Sequence, residues 1–159
     1  MKNKNKAVWG ARFNNSTSKI FEKIGASIDI DKRLFEEDIF GSIVHTKMLI
    51  NQKIINKKIG LKIINGLKRI SVEIKKNKFN FSQKHEDIHL NIEKRLFEII
   101  GESAGYLHIA RSRNDQVTTD FKIWIKKATS EVIKNIDNLI KNFLKKSESN
   151  IYTIMPGFT

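Results

Sequence analysis

From Val117 onward the apolar residues of this chain fall at Phe121, Ile125, Ala128, Val132, Ile136, Leu139 and Phe143, in steps of three and four. Residues so spaced share one stripe of an α-helix, whereas a strand would turn every second residue to the opposite face. A stripe this regular is the seam of a coiled coil or helical bundle. A helix over about 114–146 would run ~50 Å at 1.5 Å per residue, longer than the small helical region before it. The expectation is that other subunits, or further chain, cover the seam.

The rest of the chain is permissive of helix. There is a single proline, Pro156, and only 8 glycines in 159 residues. Proline removes a backbone donor and clashes with the preceding turn, so its absence leaves helices uninterrupted. The spacing predicts a short helix over 18–25. A second follows Asp31 in LFEEDIFGSIVHTKMLINQKI, with Glu36, Glu37 and Asp38 suiting its positive end and Ile39, Ile43, Met48 and Ile50 as its buried stripe. A third over 60–76 places Leu61, Ile64, Leu67, Ile70 and Ile74 inward. The polar stretch NKFNFSQKHED reads as a loop. A fourth helix over about 87–100 packs Ile88, Ile92, Leu96 and Ile99. The fold class is all-α: a small N-terminal helical domain over 1–111, then the first long helix of a central bundle over 112–159. The closing ESNIYTIMPGFT turns at Pro156 and Gly157 toward further structure, so the sequence reads as cut.

Charge calls for care. The formal net charge is +13, but lysine supplies 24 of the 30 basic residues and arginine only 6. Lysine, isoleucine and asparagine together make up 65 of the 159 residues, spread evenly along the chain. That is a whole-chain bias rather than a binding patch, and arginine, the residue suited to bidentate phosphate and base contacts, is scarce. Nucleic acid is therefore not an expected partner. No apolar run reaches the roughly 18 residues that a membrane span needs, and the basic start MKNKNKAVWG lacks the apolar stretch of a secretory signal. There is no cysteine, hence no disulfide framework. These features point to a cytoplasmic protein.

One motif suggests a metal. Residues 85–89 read HEDIH, matching the H-E-x-x-H pattern that presents two histidines one helical turn apart to zinc. The pattern requires both histidines on one helix, plus a third ligand and an open position. His85 follows a polar loop and precedes two acidic residues, which is where a helix begins, and His108 lies in another segment. A capped helix start is the better reading, and no metal is expected.

The surroundings of HEDIH carry more. EDIHLNIEKRLFEIIGESAGYLHIARSRNDQVTTDFKIWI, WGARF at 9–13, GASIDIDKRLFEEDIFGSIVHTKML and the terminal IMPGFT occur in the order of four family motifs. By these the chain resembles the argininosuccinate lyases, within the fumarase and aspartase superfamily. The resemblance implies cleavage of argininosuccinate to arginine and fumarate without metal or organic cofactor. It implies a homotetramer whose central helices pool into one bundle, with active sites drawn from three subunits. It places Ser27, Asn114 and Thr159 among the substrate contacts, with Ser112 and Arg113 beside them near the succinate carboxylates. Asp31 and Asp87 match positions near the positively charged end. Two departures are Ala11 for a glycine in WGGRF and Gly25-Ala26-Ser27 for NAS.

Each of these residues also has a plainer reading. Ser27, Ser112 and Asn114 or Asp115 could simply cap helices, Arg111 and Arg113 could be solvated, and His45, His89 and His108 could be satisfied structural histidines. The family's proton-transfer histidine follows directly after the threonine matched by Thr159, and its proton-transfer serine lies in a later GSS-x-MP loop. Neither is among these 159 residues, so the chain alone is expected to be inactive. A non-catalytic helical oligomerisation module is the alternative.

Overall fold

The computed structural model describes residues 19–157; WGARF, Ser18 and Thr159 lie outside the described residues. Among those described, every regular element is helical, as the periodicity predicts. In order they are α1 (Lys19–Gly25), α2 (Ile28–Asp31), α3 (Phe35–Asn51), α4 (Lys57–Lys75), α5 (Ile88–Ile100) and α6 (Arg113–Glu148). Short 3₁₀ turns occupy Lys32–Leu34, Gln83–His85 and Gly101–His108. The chain divides into two compact units at Asp120, within α6.

In the first unit α4 packs against both α3 and α5. Its Ile63, Leu67 and Ile70 are fully buried, facing Leu49 of α3, Ile88, Ile92 and Leu96 of α5, and Leu107. Full burial of each such side chain is worth roughly 1.5–3 kcal/mol. The phase of the stripe differs from the expected one: Ile63 is inside and Leu61 is exposed. Steps of three walk about 60° around a helix each time, so Leu61, two such steps from Leu67, has left the core face. In α3, likewise, Leu49 is buried while Met48, half a turn round from Ile39, is exposed.

Two glycines let α4 approach its neighbours. A Cβ at Gly66 would lie 2.5 Å from Leu96 Cδ1, and one at Gly60 would lie 2.4 Å from Ile50 Cδ1. Side-chain caps fix both helix starts: Asn56 Oδ1 accepts from Lys58 N at 2.8 Å, and Asp87 Oδ1 accepts from Leu90 N at 2.6 Å. Arg95 reaches from α5 to Glu73 of α4 through Nε at 2.8 Å and Nη2 at 3.0 Å.

The second unit consists of α6 beyond Asp120 and the residues after it. Phe121 and Trp124 stack with centroids 6.1 Å apart. Val132, Ile136, Leu139 and Phe143 of the seam are all at least half exposed, flanked by exposed Ile133, Ile140 and Leu144. No helix among the described residues is long and apolar enough to cross a membrane.

Candidate active site

Glu86 organises the ground around α5. It adopts φ 52° and ψ −64°, a conformation costly for a residue with a Cβ. Its carbonyl accepts from both Ser27 N at 2.9 Å and Ile28 N at 3.0 Å. Ser27 stands at the N-terminus of α2, yet its hydroxyl makes no cap bond; it donates instead to Asp31 Oδ2 at 2.6 Å. Asp31 Oδ1 accepts from Ile88 N at 3.2 Å, so Asp31 and the cap Asp87 share the start of α5. Their negative charges complement the free N–H groups there. Burial raises the Asp31 carboxyl above its usual range, with Asp87's charge adding to it, while the Ser27 hydrogen bond opposes both.

The start of α6 is built differently. Ser112 Oγ accepts from Asn114 N at 3.2 Å, and Asp115 Oδ2 accepts from Ser112 N at 3.3 Å. The pair is reciprocal in the manner of a capping box, with Ser112 bonded to the second helical N–H in place of the third. Arg113 Nη1 donates to Gln116 Oε1 at 2.7 Å and lies 2.9 Å from Glu93 Oε1; its Nε is 3.7 Å from Asp87 Oδ2. Ser27, Asp31, Asp87 and Arg113 are thus linked by successive contacts. Ser112 and Asn114 flank Arg113 and are exposed.

Beneath them lies a charged cluster. Asp38, His89, Gln116 and Asp120 are each 2% exposed or less. His89 Nδ1 meets Asp38 Oδ1 at 2.9 Å and lies 3.5 Å from Asp120 Oδ2. Gln116 Nε2 also donates to Asp38 Oδ1. Both Asp120 oxygens are buried without a hydrogen-bond partner. Burial disfavours the Asp38 carboxylate, but hydrogen bonds from His89 and Gln116 and the charges of His89 and Arg111 hold it below the usual range. Burial also opposes the His89 cation; the Asp38 bond and the charges of Asp38, Asp87 and Asp120 outweigh it and raise His89. Asp120 is pushed up to about 7, by burial first and then by Asp38's charge. The Arg111 guanidinium lies alongside: it donates to Ser42 Oγ at 2.9 Å, and its Nη2, like Asp120 Oδ1, borders the space beside Gly41.

The comparisons agree with the order of the motifs. A family described as Lyase matches residues 11–159. The chain belongs to this lyase family. It is 64% identical over 160 residues to the argininosuccinate lyase of Pelagibacter ubique (strain HTCC1062), which takes in 100% of this chain and 35% of the relative. The argininosuccinate lyases of Ehrlichia canis (strain Jake) and Ehrlichia chaffeensis (strain ATCC CRL-10679 / Arkansas) are 51% and 53% identical over 152 residues, 96% of this chain and 32% of each relative. The chain therefore spans about a third of the length of these relatives, corresponding to their N-terminal portion.

Within this lyase region the HEDIH histidines do not act together. His85 ends a 3₁₀ turn and Asp87 caps α5, so only His89 is on the helix. Asp38, His89 and Asp120 do offer three potential ligand atoms within 4.8 Å of one another. To bind an ion, His89 would first surrender the Nδ1 proton shared with Asp38, and Gln116 would withdraw its N–H from the same oxygen. The sequence alone does not mark Asp38, Gln116, Asp120, Glu93 or Arg111 as site residues. Asp38 read as a helix-dipole charge and Arg111 as a solvated one. The available signal was polar residues at helical spacing, Asp38–Ser42–Thr46 in α3 and Arg113–Gln116–Asp120 in α6.

Proposed function

We propose that these residues are the N-terminal portion of an argininosuccinate lyase, splitting argininosuccinate into arginine and fumarate for arginine synthesis. In this reading residues 1–111 are an N-terminal helical domain and 112–159 begin a central helical bundle. The enzyme is a cytoplasmic homotetramer. It uses no metal or organic cofactor and has no nucleic-acid or membrane partner.

The observation that carries the reading is the contact chain Ser27–Asp31–Ile88–Asp87–Arg113, which gathers four of the seven nominated residues between the starts of α5 and α6. Such a site suits a substrate bearing three carboxylates and a guanidinium. Arg113 and Asn114 on the first turn of α6, with Ser112 just before it, offer donors to carboxylates, and Asp31 and Asp87 offer acceptors to the guanidinium end. Ser27 and Thr159 add hydroxyl contacts.

Cleavage removes a proton from the carbon beside a carboxylate, and the electron pair left behind forms the fumarate double bond as the C–N bond breaks. The departing guanidino nitrogen takes up a proton, releasing arginine. Negative charge building on the carboxylate is where fixed donors such as Arg113 lower the barrier. His89 is committed to Asp38, so neither proton-transfer step is assigned to it. These 159 residues bind and orient, and turnover needs groups from beyond them.

The test joins this chain to the remaining two thirds of the Pelagibacter relative and follows fumarate by ultraviolet absorbance. The chimera should turn over argininosuccinate within about tenfold of the parent lyase, Arg113→Ala should abolish most of that, and the chain alone should release none. A chimera indifferent to Arg113→Ala, or an active isolated chain, would refute the assignment. The exposed seam of α6 favours one second reading, a non-catalytic oligomerisation module. It requires concentration-dependent association in light scattering, together with an inactive chimera.

A further inference from the structure

Arg113 and the buried cluster are joined by one side chain. Gln116, on α6, is 2% exposed and bridges two groups that fix its orientation. Arg113 Nη1 offers only hydrogens, so the oxygen of the Gln116 amide must face it, at 2.7 Å. The Asp38 carboxylate only accepts, so the amide nitrogen must face Asp38. Asp38 is in turn locked by His89 Nδ1 at 2.9 Å. Glu93 Oε1 shares that Nη1 at 2.9 Å and Asp87 Oδ2 lies 3.7 Å from Nε, so three acceptors hold the guanidinium and Gln116 is the buried, neutral one.

We propose that Gln116 is a positioning residue, which aims the Arg113 guanidinium from a buried amide oriented by Asp38 and His89. The inference rests on the reading that Arg113 meets a substrate carboxylate. Gln116 touches no substrate itself. Its contribution is to hold Arg113 in the plane that a carboxylate needs before the substrate arrives, which lowers the ordering cost of binding. A glutamine is suited to this in a way an acid is not. Its oxygen attracts the guanidinium without adding a third negative charge to those of Glu93 and Asp87, and its nitrogen stabilises a neighbouring carboxylate that a second acid would repel.

The test compares Gln116→Met, which keeps the volume and removes both hydrogen bonds, with Gln116→Glu, which keeps the shape and can donate to Asp38, through its one O–H, only when protonated. In the active chimera, Gln116→Met should raise KM for argininosuccinate about tenfold at every pH, the equivalent of one hydrogen bond to a charged group, with kcat within about threefold. Gln116→Glu should match the parent near pH 5.5 and lose affinity toward pH 8 as its carboxylate competes for Arg113. In the 159-residue chain, Gln116→Met should speed solvent exchange of the Arg113 guanidinium hydrogens by a similar factor, with the helical circular dichroism unchanged. Unchanged KM in Gln116→Met, where Arg113→Ala raises it, overturns the inference and spares the site. A fall in kcat with loss of helicity overturns it in favour of a merely structural role. If Arg113→Ala itself leaves KM unaltered, the substrate reading falls and takes the inference with it, whatever the exchange rates show.

Discussion

Replacing Asp120 by asparagine should make the chain more stable than its parent, by a margin that widens as pH rises. Asp120 is fully buried and both its oxygens lack donors. In the folded chain it titrates at about 7, against 3.8 unperturbed. Over that interval the folded state holds a proton that the unfolded state has already released, so stability falls with rising pH. Between pH 5 and pH 8 the linkage amounts to roughly 2–3 kcal/mol. Asparagine keeps the shape, carries no charge and removes this dependence.

Of the other two groups of the cluster, His89 is coupled to Asp120 and Asp38 keeps its charge throughout. His89 is raised, so its contribution is complete below 6.5 and is lost as pH climbs through its folded value. That decline remains in the variant but sets in at lower pH, because the Asp120 charge that helps raise His89 is gone. Asp38 is lowered, so its contribution is present above 3.8 and constant across this window. The difference between parent and Asp120→Asn therefore reports the Asp120 ionisation less the support its charge lends His89, and the larger Asp120 shift sets its sign. Urea unfolding followed by far-ultraviolet circular dichroism, at pH 5 and pH 8, measures it. A difference that stays constant between the two pH values would refute the reasoning, because Asp120 would then carry no ionisation cost.

Gly66→Ala gains about 1 kcal/mol of helix propensity but forces a Cβ to within 2.5 Å of fully buried Leu96, with Ile100 behind it. Overpacking of about 1–3 kcal/mol should leave it net destabilised, while Gly105→Ala, with open space around it, should stay within about 0.5 kcal/mol of the parent. Leu96→Ala should cost about 2–5 kcal/mol in the same urea titration, as a cavity opens at the contact of α4 with α5. Ser112→Ala removes the cap on α6 and should cost about 1 kcal/mol, with faster amide exchange at Asn114 as its local signature.

What the sequence made legible follows from what periodicity encodes. Ile88, Ile92 and Leu96 step by four, and a four-step drifts only about 40° around a helix, so those residues stay in the core where the pattern puts them. Leu61 lies outside the core, against the expected stripe, because a run of threes drifts further. Helix starts at Asn56 and Asp87 carry polar caps, and the latter boundary was readable to within a residue. The charged cluster was not readable, because the same spacing in polar residues describes a solvated face equally well. Asp38, Ser42 and Thr46 in α3, and Arg113, Gln116 and Asp120 in α6, are two polar stripes at helical spacing. A single stripe of this kind belongs to water. Only the tertiary arrangement shows that Asp38 and Gln116 satisfy one another out of solvent.

That arrangement also accounts for the unevenness of the cluster. Ionised groups taken from water lose several kcal/mol of hydration, recovered only where geometry and hydrogen bonding are good. Asp38 recovers it, with donors from His89 on α5 and Gln116 on α6 converging on one oxygen. Asp120, one turn further along α6 than Gln116, does not, because the His89 Nδ1 that could serve it is 3.5 Å away and already bonded. A sequence shaped for stability alone would put an apolar residue at 120. The polar choice at 116 has a consequence beyond stability, since it couples the orientation of half-buried Arg113 to a carboxylate and a histidine on two other helices. The start of α6 is thereby held by what it presents to a ligand as well as by what it buries.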